Sequence, residues 1–199
     1  MEEQVLVVRT DEIQPLLGNT FSSERNDEVL SYILANSRFI KRDLAEHDPS
    51  FKQVIPYVLV RHGINYLLLK RTTGQTEKRL HNKFSLGVGG HINPEPLGGH
   101  PNIVEAGLHR ELNEEVHIGG THRIQMLGTI NDDSTEVSRV HLGLAFLLES
   151  DAADFSVNEK DLMTAEWASV EQITKTFDLL ESWSQILFKN CIEHSPALT

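Results

Sequence analysis

Three glutamates, Glu111, Glu114 and Glu115, lie within five positions of the segment HRELNEEVHI. If residues 102–117 form a helix, the side chains point about 100° (Glu111), 160° (Glu114) and 60° (Glu115) away from its apolar stripe. The carboxylates then share one arc, where like charges repel by roughly 0.2–0.5 kcal/mol per pair. A bound Mg²⁺, which prefers carboxylate oxygens, would convert this repulsion into coordination. A solvated acidic face relieved by Arg110 is the alternative that the helix alone leaves open.

The helix itself is predicted from apolar residues that recur at every fourth position, namely Val104, Leu108, Leu112 and Val116. Asn102 can cap its first turn, with Glu105 three residues later as in a capping box. We therefore expect a helix that buries this stripe and presents the acidic arc beside it.

A glycine-rich segment, LGVGGHIN, lies upstream of the helix and is predicted to leave a strand. Glycines at such a point let the backbone turn tightly and approach a ligand closely. Several cationic side chains precede this loop, and in an acidic protein they are candidates for phosphate contacts. The expected substrate-binding residues are Arg71, Arg79, Lys83, Gly89, Gly90 and His91, with Lys78 beside them.

The composition is that of a globular protein with an acidic surface. Of 199 residues, 39% are hydrophobic, and 29 acidic against 18 basic residues give a formal net charge of −11. General affinity for nucleic acid or an anionic membrane needs basic surface and is not expected. The one cysteine, Cys191, cannot form an internal disulfide and fits a cytoplasmic protein. The sequence contains no apolar run of about 18 residues, so no membrane-spanning helix is predicted.

Strand-like and helix-like segments follow one another without a regular alternation. The stretch QVIPYVLVRHGINYLLLKRT predicts a β-hairpin. Residues 27–45 predict a helix capped by Asn26, and residues 175–189 predict the last helix. The expected class is α/β, in the α+β sense, with a mixed β-sheet and flanking helices. Residues 1–50 are expected to add a strand–helix extension that packs on a core of residues 51–199, within a single domain overall.

The segment RELNEE at residues 110–115, which follows the glycine loop, resembles the core of the Nudix box, GX5EX7REUXEEXGU with U aliphatic. Gly90 matches the opening glycine of the box and Ile118 its closing aliphatic residue. The stretches KQVIPYVLV, GGHIN and GTINDDSTEVSRVHLGLAF are similar to the MutT-type subgroup described as predicted phosphoesterases. The resemblance covers most of residues 50–190. It implies a Nudix-like α/β/α sandwich and hydrolysis of a nucleoside diphosphate linked to another group, X.

The match departs from the box in the loop before the helix. Gly90 and Arg110 are 20 positions apart, six more than in the box, which places an insertion within NPEPLGGHP. Strict spacing puts Asn102 where the box has its first glutamate, and Glu95 and Glu105 are near matches. The insertion therefore lengthens the loop beside the expected site.

The closing glycine of the box is replaced by His117. A helix often ends in the left-handed region, which His tolerates better than most residues. Two helix ends are therefore expected: a left-handed His117, or a slightly longer helix that Gly119 terminates.

The resemblance implies that Glu111, Glu114 and Glu115 are catalytic and bind Mg²⁺ or Mn²⁺. One of them would act as general base, instead of or as well as being a ligand. Arg110 would orient a metal-binding glutamate rather than touch the substrate.

A further acid from outside the box usually joins the metal site in this family. Glu159 and Asp161, shortly before the Trp-bearing strand, are the candidates for this metal ligand. Asp132, Asp133 and Glu136 are the other acids considered. The two segments that contain these acids, NEKDLMTAEW and NDDSTEV, also have the composition of ordinary polar surface loops.

Two other functions fit parts of the pattern. A non-catalytic nucleotide-binding or regulatory Nudix module would keep the fold, but a binder has no need to retain three repelling glutamates. An isopentenyl-diphosphate isomerase-like enzyme shares VGGH and RELxEE, yet uses a core cysteine that the expected core lacks. The partner is expected to be a nucleotide or other small diphosphate, and the N-terminal residues either shape its pocket or contribute to a homodimer.

Overall fold

The computed structural model describes residues 2–71, 83–158 and 163–193. Twelve β-strands lie within these residues. They are β1 Gln4–Arg9, β2 Thr20–Ser22, β3 Arg38–Lys41, β4 Phe51–His62, β5 Asn65–Arg71, β6 Phe84–Ser85, β7 Gly87–Gly89, β8 Val116–Ile118, β9 His122–Asn131, β10 His141–Ser150, β11 Phe155–Val157 and β12 Met163–Ala168.

Helices connect these strands. The α-helices are α1 Thr10–Ile13, α2 Asn26–Asn36, α3 Arg42–His47, α4 Ile103–Glu115, α5 Glu136–Arg139, α6 Val170–Lys175 and α7 Ser182–Leu187. Short 3₁₀ segments occupy Gln14–Leu16 and Phe177–Leu179, and a π-helical turn occupies Phe188–Ile192. Within the described part of the chain, no helix has the length and apolar character to cross a membrane.

Ten strands form a sheet whose main path runs β12–β5–β4–β10–β9–β2, and β8 and β11 form a separate pair. Beside this path, β1 pairs with β3 and β4, β6 with β5, and β7 with β4. Strand β5 runs antiparallel to both β4 and β12. Along β4 and β10, Gln53 contacts Val140 and His62 contacts Ser150, so these strands run in the same direction. The predicted mixed sheet and α/β class are confirmed.

The chain divides into two compact units. The first contains residues up to Tyr57, Gly89–Glu111 and Met126–Ala145; the second contains Val58–Val88, Leu112–Gln125 and the chain from Phe146. Helix α4 therefore passes from the first unit into the second after Glu111. The assignment of residues 1–50 as an extension on a core domain stays a prediction.

In the first unit, the prediction of one continuous helix over residues 27–45 is wrong, because strand β3 interrupts it before the chain becomes helical again in α3. Helix α2 starts at Asn26, after Arg25 in a left-handed conformation, so Asn26 is not its cap. It ends at Asn36, because the next residues form β3 and pair with β1. In β3, Ile40 packs on the buried Val5 of β1. Strand pairing thus outweighs the helical spacing of the sequence.

In the second unit, the predicted hairpin at HGIN is confirmed, with Gly63 in its turn at φ 56°. The predicted helix over residues 175–189 is instead broken into short segments. The break falls where the Glu181 amide donates to the Phe84 carbonyl and Leu180 bridges to Phe84. The Leu86 amide donates to Ser184 Oγ at 2.8 Å. Hydrogen bonding to the β6 region therefore competes with one continuous helix.

Candidate active site

Helix α4 has the start and the buried face that its sequence predicts. The Glu105 amide donates to Asn102 Oδ1 and Asn102 Nδ2 donates to Glu105 Oε1, both at 3.0 Å. The predicted cap by Asn102 is thereby confirmed, and the second bond joins the two side chains, where a capping box would use the backbone amide of the cap residue as donor. The predicted apolar stripe is buried throughout: Val104, Leu108, Leu112 and Val116.

The carboxylate of Glu111 lies directly against the glycine loop. A β-carbon added at residue 90 would come within 2.1 Å of Glu111 Oε2 and 2.3 Å of its Cδ. Only a glycine at this position leaves room for the carboxylate. A β-carbon at Gly89 would meet the Pro56 carbonyl oxygen at 2.6 Å. A side chain at residue 89 would thus collide with backbone, whereas one at residue 90 would displace the Glu111 carboxylate from its present position.

Arg110 fixes Glu111 from the other side. Its Nη2 donates to Glu111 Oε1 at 2.5 Å, to the His91 carbonyl at 2.5 Å and to Asn93 Oδ1 at 3.0 Å. Its Nε lies 3.4 Å from Glu95 Oε2. The side chain is only 20% exposed and Glu111 only 13%. Arg110 therefore joins the loop after Gly90 to the Glu111 carboxylate.

Glu95 contacts the arginine although it lies one position short of the first glutamate in the box. Of the two near matches, Glu105 is used instead in the helix cap. If Glu95 takes the place of the first glutamate of the box, the additional residues lie between Glu95 and Arg110. The end of this loop packs against helix α4, because the ring of His100 stacks on the ring of His109 with centroids 4.4 Å apart.

Glu114 is exposed, whereas Glu115 is 13% exposed with its Oε2 atom buried. Arg71 Nη2 lies 3.9 Å from Glu115 Oε1. The Arg71 amide donates to the Lys83 carbonyl at 3.1 Å. The structure therefore brings two of the predicted phosphate contacts, Arg71 and Lys83, close to each other, with Arg71 beside Glu115. The other two, Lys78 and Arg79, lie outside the described residues.

His91, which follows the two glycines, is mostly buried beside His141, with ring centroids 5.7 Å apart. Burial, followed by the nearby positive charge of Arg42, lowers the pKa of His91 to about 4. Burial also lowers the pKa of His141, whose Nδ1 lies 2.6 Å from the Val137 carbonyl oxygen. Both imidazoles are therefore neutral near pH 7.

The candidate acids outside the box fall into two groups. Glu159 and Asp161 lie outside the described residues. Asp132 is buried and accepts from the Ser134 amide at 3.0 Å, and Asp133 pairs with Lys52, whose side chain is 1% exposed. Asp132 and Asp133 thus hold a turn and a buried lysine in place.

Among residues 2–71, 83–158 and 163–193, no group of three or more His, Cys, Asp and Glu side chains is arranged to hold a metal ion. A ready-made protein cage is therefore absent from that part of the chain. Mg²⁺ is usually bound by one or two carboxylates, with water and substrate phosphates completing its shell. Carboxylates of Glu111 and Glu115, both mostly withdrawn from solvent, are donors of that kind.

The end of helix α4 differs from both expectations. The helix ends at Glu115, and His117 lies in β8 opposite Ser156. Among the described non-glycine residues, only Thr20 and Arg25 have positive φ, so His117 is not left-handed. Nor does Gly119 end the helix. The chain continues directly into a strand, because β8 pairs with β11.

A cleft of about 530 Å³ lies in the first unit beside the residues that follow the glycine loop. Asn93 Nδ2 donates to the Gln4 carbonyl at 2.8 Å, and the Leu6 amide donates to the Ile92 carbonyl at 2.9 Å. Strand β1 therefore lines the loop directly. The cleft is bordered by Glu2, Glu3, Gln4, Lys41, Asn93, Pro94 and Glu95.

Comparison with known proteins assigns this arrangement to a family. The family model described as NUDIX domain matches residues 52–190 of this chain. Protein YmaB of Bacillus subtilis (strain 168) is 35% identical over 198 residues, which cover 94% of this chain and 96% of YmaB. The protein Tm1382, whose crystal structure is described as that of a candidate Nudix hydrolase, is 38% identical in sequence to this chain. The two structures superpose with a TM-score of 0.78, over 94% of this chain and 97% of Tm1382.

A more distant structure shares the fold alone. The NUDIX domain of Shewanella oneidensis NrtR, solved with ADP ribose, is 11% identical with a TM-score of 0.51, and the match covers 69% of this chain and 84% of that one.

The family match and the two more similar proteins together identify the chain. It belongs to the Nudix family, and it is a Nudix-type hydrolase, a pyrophosphatase.

Proposed function

We propose that this protein hydrolyses the diphosphate of a nucleoside diphosphate linked to another group, X, and that it requires Mg²⁺ or Mn²⁺. The observation that carries the proposal is the Glu111 carboxylate, which Gly90 admits and Arg110 holds by a 2.5 Å hydrogen bond. A carboxylate fixed in this way is oriented before any ligand arrives, as efficient catalytic groups are.

Glu111, Glu114 and Glu115 are the residues that would hold the ion. All three belong to one helix, and each offers hard oxygen donors. The side chains of Glu111 and Glu115 are mostly withdrawn from water, so little solvent is available to stabilise their negative charges. When bound, the ion neutralises the diphosphate and lowers the pKa of the attacking water. A chain with a net charge of −11 has particular need of that neutralisation before it can accept an anionic substrate.

The chain's own groups perform the remaining tasks. A glutamate of the trio that is not engaged as a ligand accepts the proton of the attacking water. Arg71 and Lys83 supply positive charge to the phosphate oxygens, and Arg71 can do so with a planar fork of donors. Arg110 keeps Glu111 in place rather than contacting the substrate, because its Nη2 already donates to Glu111, Asn93 and the His91 carbonyl.

A regulatory or nucleotide-binding module is the main competing function, and it would retain the fold without turnover. The isomerase alternative has less support, because Cys191 lies in the terminal turn Phe188–Ile192. Burial raises the pKa of its thiol to about 11, so it is not a ready nucleophile or acid at neutral pH.

The test is a panel of nucleoside diphosphate derivatives incubated with Mg²⁺ or Mn²⁺, with phosphate and nucleotide release measured. ADP-ribose, which the NrtR domain binds, belongs in the panel as one example of this chemical class. We expect release of a nucleoside monophosphate from at least one compound, and none when the ions are chelated. Tight binding of one compound with no turnover of any would favour the binding module instead.

A further inference from the structure

Helix α4 ends without the usual residues of a helix C-terminus. Its last turn contains no basic residue, and the chain passes directly into strand β8. The last four carbonyls of any helix have no partner within the helix. Two of these groups in α4, the carbonyls of Asn113 and Glu115, accept hydrogen bonds from a single residue of another segment.

That residue is Asn158. Its side-chain Nδ2 donates to the Asn113 carbonyl at 2.7 Å, and its backbone amide donates to the Glu115 carbonyl at 2.9 Å. The second bond extends the antiparallel pairing of β8 with β11, in which Val157 lies opposite Val116. Asn158 is therefore held in register by the strand pair while its amide group reaches back to the helix.

We infer that Asn158 is a positioning residue for the catalytic helix, which fixes the last turn of α4 and with it the carboxylates of Glu114 and Glu115. This inference rests on the proposed function, since that function makes these glutamates metal ligands or the general base. The turn that Asn158 holds is the one that fraying would disturb first.

The chemistry of the asparagine side chain suits this role. Its Nδ2 carries two donors and no charge, so it satisfies a carbonyl without competing with an ion for the neighbouring carboxylates. A lysine or arginine there would satisfy the carbonyl but also pair with Glu114 or Glu115. An aspartate would offer no donor and add a fourth negative charge beside the helix end, where the helix dipole is already unfavourable to it.

The restraint on Glu115 is the consequence that matters for catalysis. Its carboxylate is 13% exposed, with Arg71 Nη2 at 3.9 Å from Oε1. A side chain on an unrestrained last turn would sample several positions, and its contact with Arg71 would be intermittent. Groups that orient metal ligands from outside the coordination shell are worth about 10- to 100-fold in metal affinity or activity.

The experiment compares the wild-type protein with Asn158→Ala, Asn158→Asp and Ser156→Ala. Ser156 is an exposed residue of β11, two positions from Asn158, and Ser156→Ala is the matched control. Hydrogen exchange of the backbone amides of residues 112–116 is measured first, without metal. We expect exchange at least about 10-fold faster in Asn158→Ala, a larger effect in Asn158→Asp, and no change in Ser156→Ala.

Mn²⁺ affinity and the separate values of kcat and KM are then measured for the same proteins. We expect Asn158→Ala to weaken Mn²⁺ binding and lower kcat by about 10-fold or more, with a smaller change in KM. A merely structural role would lower the melting temperature and leave both quantities unchanged. Unchanged exchange in Asn158→Ala overturns the inference, as does normal Mn²⁺ affinity with normal kcat. If the wild-type protein binds no Mn²⁺ and hydrolyses nothing, the proposed function fails, and the exchange data still decide whether Asn158 holds the helix end.

Discussion

The carboxylate of Glu111 lies against the α-carbon of Gly90, where a β-carbon would be 2.1 Å from Oε2. The two residues are separated by the longer loop that distinguishes this chain from the ordinary Nudix box. Despite the six additional residues, the first glycine of the box and the first glutamate of its REUXEE core meet. The additional residues thus do not separate the Glu111 carboxylate from Gly90.

Gly90→Ala should displace Glu111 without unfolding the protein. A shift of about 1 Å in a catalytic group can cost about 10²-fold in rate, so we expect kcat to fall by that order. Steady-state kinetics with a substrate from the panel measure the change. The matched control is Gly63→Ala, which meets no atom within 4 Å but has φ 56°. It should lose roughly 1 kcal/mol of stability and keep its kcat. A wild-type rate in Gly90→Ala would show that the contact with Glu111 is unimportant.

Arg110→Lys should lower activity although the positive charge is kept. A lysine ammonium cannot reproduce the planar fork by which Arg110 contacts the His91 carbonyl and Glu111 together. We expect kcat to fall about 10- to 100-fold, the range for partners that orient ligands. Arg123→Lys, at an exposed position of β9, is the control and should behave as wild type. Equal rates for the two variants would remove the orienting role of Arg110.

Glu114→Gln and Glu115→Gln should each reduce kcat by at least about 10²-fold, as expected for acid–base or charge-stabilising groups. The amide keeps the size of the side chain and removes its charge, so little change in fold is expected. Glu171→Gln, an exposed position in α6, controls for the loss of one negative charge. Near-normal rates in both variants would exclude these two glutamates from the site.

Stability should decline in mild acid because of His91. The pKa of this imidazole falls from 6.5 to about 4 in the folded protein, mainly because of burial and then because of the positive charge of Arg42. His141 and Arg110 also lower it, whereas the negative charge of Glu3 raises it. At a pH between these two pKa values, the unfolded chain binds a proton at His91 that the folded chain does not bind. The free energy of unfolding therefore falls as the pH drops from about 6.5 to about 4, by at most about 3 kcal/mol from this group.

Urea unfolding of wild type and His91→Gln, near pH 7 and near pH 4.5, measures this contribution. The substitution removes the titrating group, so the variant should lose less stability between the two conditions than the wild type does. The remaining decline reports other groups, including His141, whose pKa is lowered in the same direction. Equal losses in the two proteins would mean that His91 does not titrate as described.

The local patterns of the sequence were sufficient to predict helix α4 and its surroundings. The four-residue recurrence from Val104 to Val116 and the Asn102 cap are local features, and both are confirmed. So are the hairpin at Gly63 and the mixed α/β class. The segment over residues 27–45 misled because β3 depends on pairing with β1, a partner 30 or more residues away that periodicity does not reveal.

The contacts of the site required the structure for the same reason. Sequence spacing left Glu95 and Glu105 as equal alternatives, and only the fold of the inserted loop shows which one reaches Arg110. Asn158 has no pattern that would mark it, because its role depends on the register of β11 with β8. The metal-binding role of the three glutamates stays a prediction, as do Glu159 and Asp161.

Calorimetric titration of the protein with Mg²⁺ and with Mn²⁺, alone and with a nucleoside diphosphate derivative, tests the central claim most directly. The comparison protein is the triple variant Glu111→Gln, Glu114→Gln and Glu115→Gln. We predict that the wild type binds at least one of the ions at about millimolar concentration or below, and that the triple variant loses this binding. Absence of binding by the wild type even with nucleotide present, or equal binding by both proteins, would contradict the account.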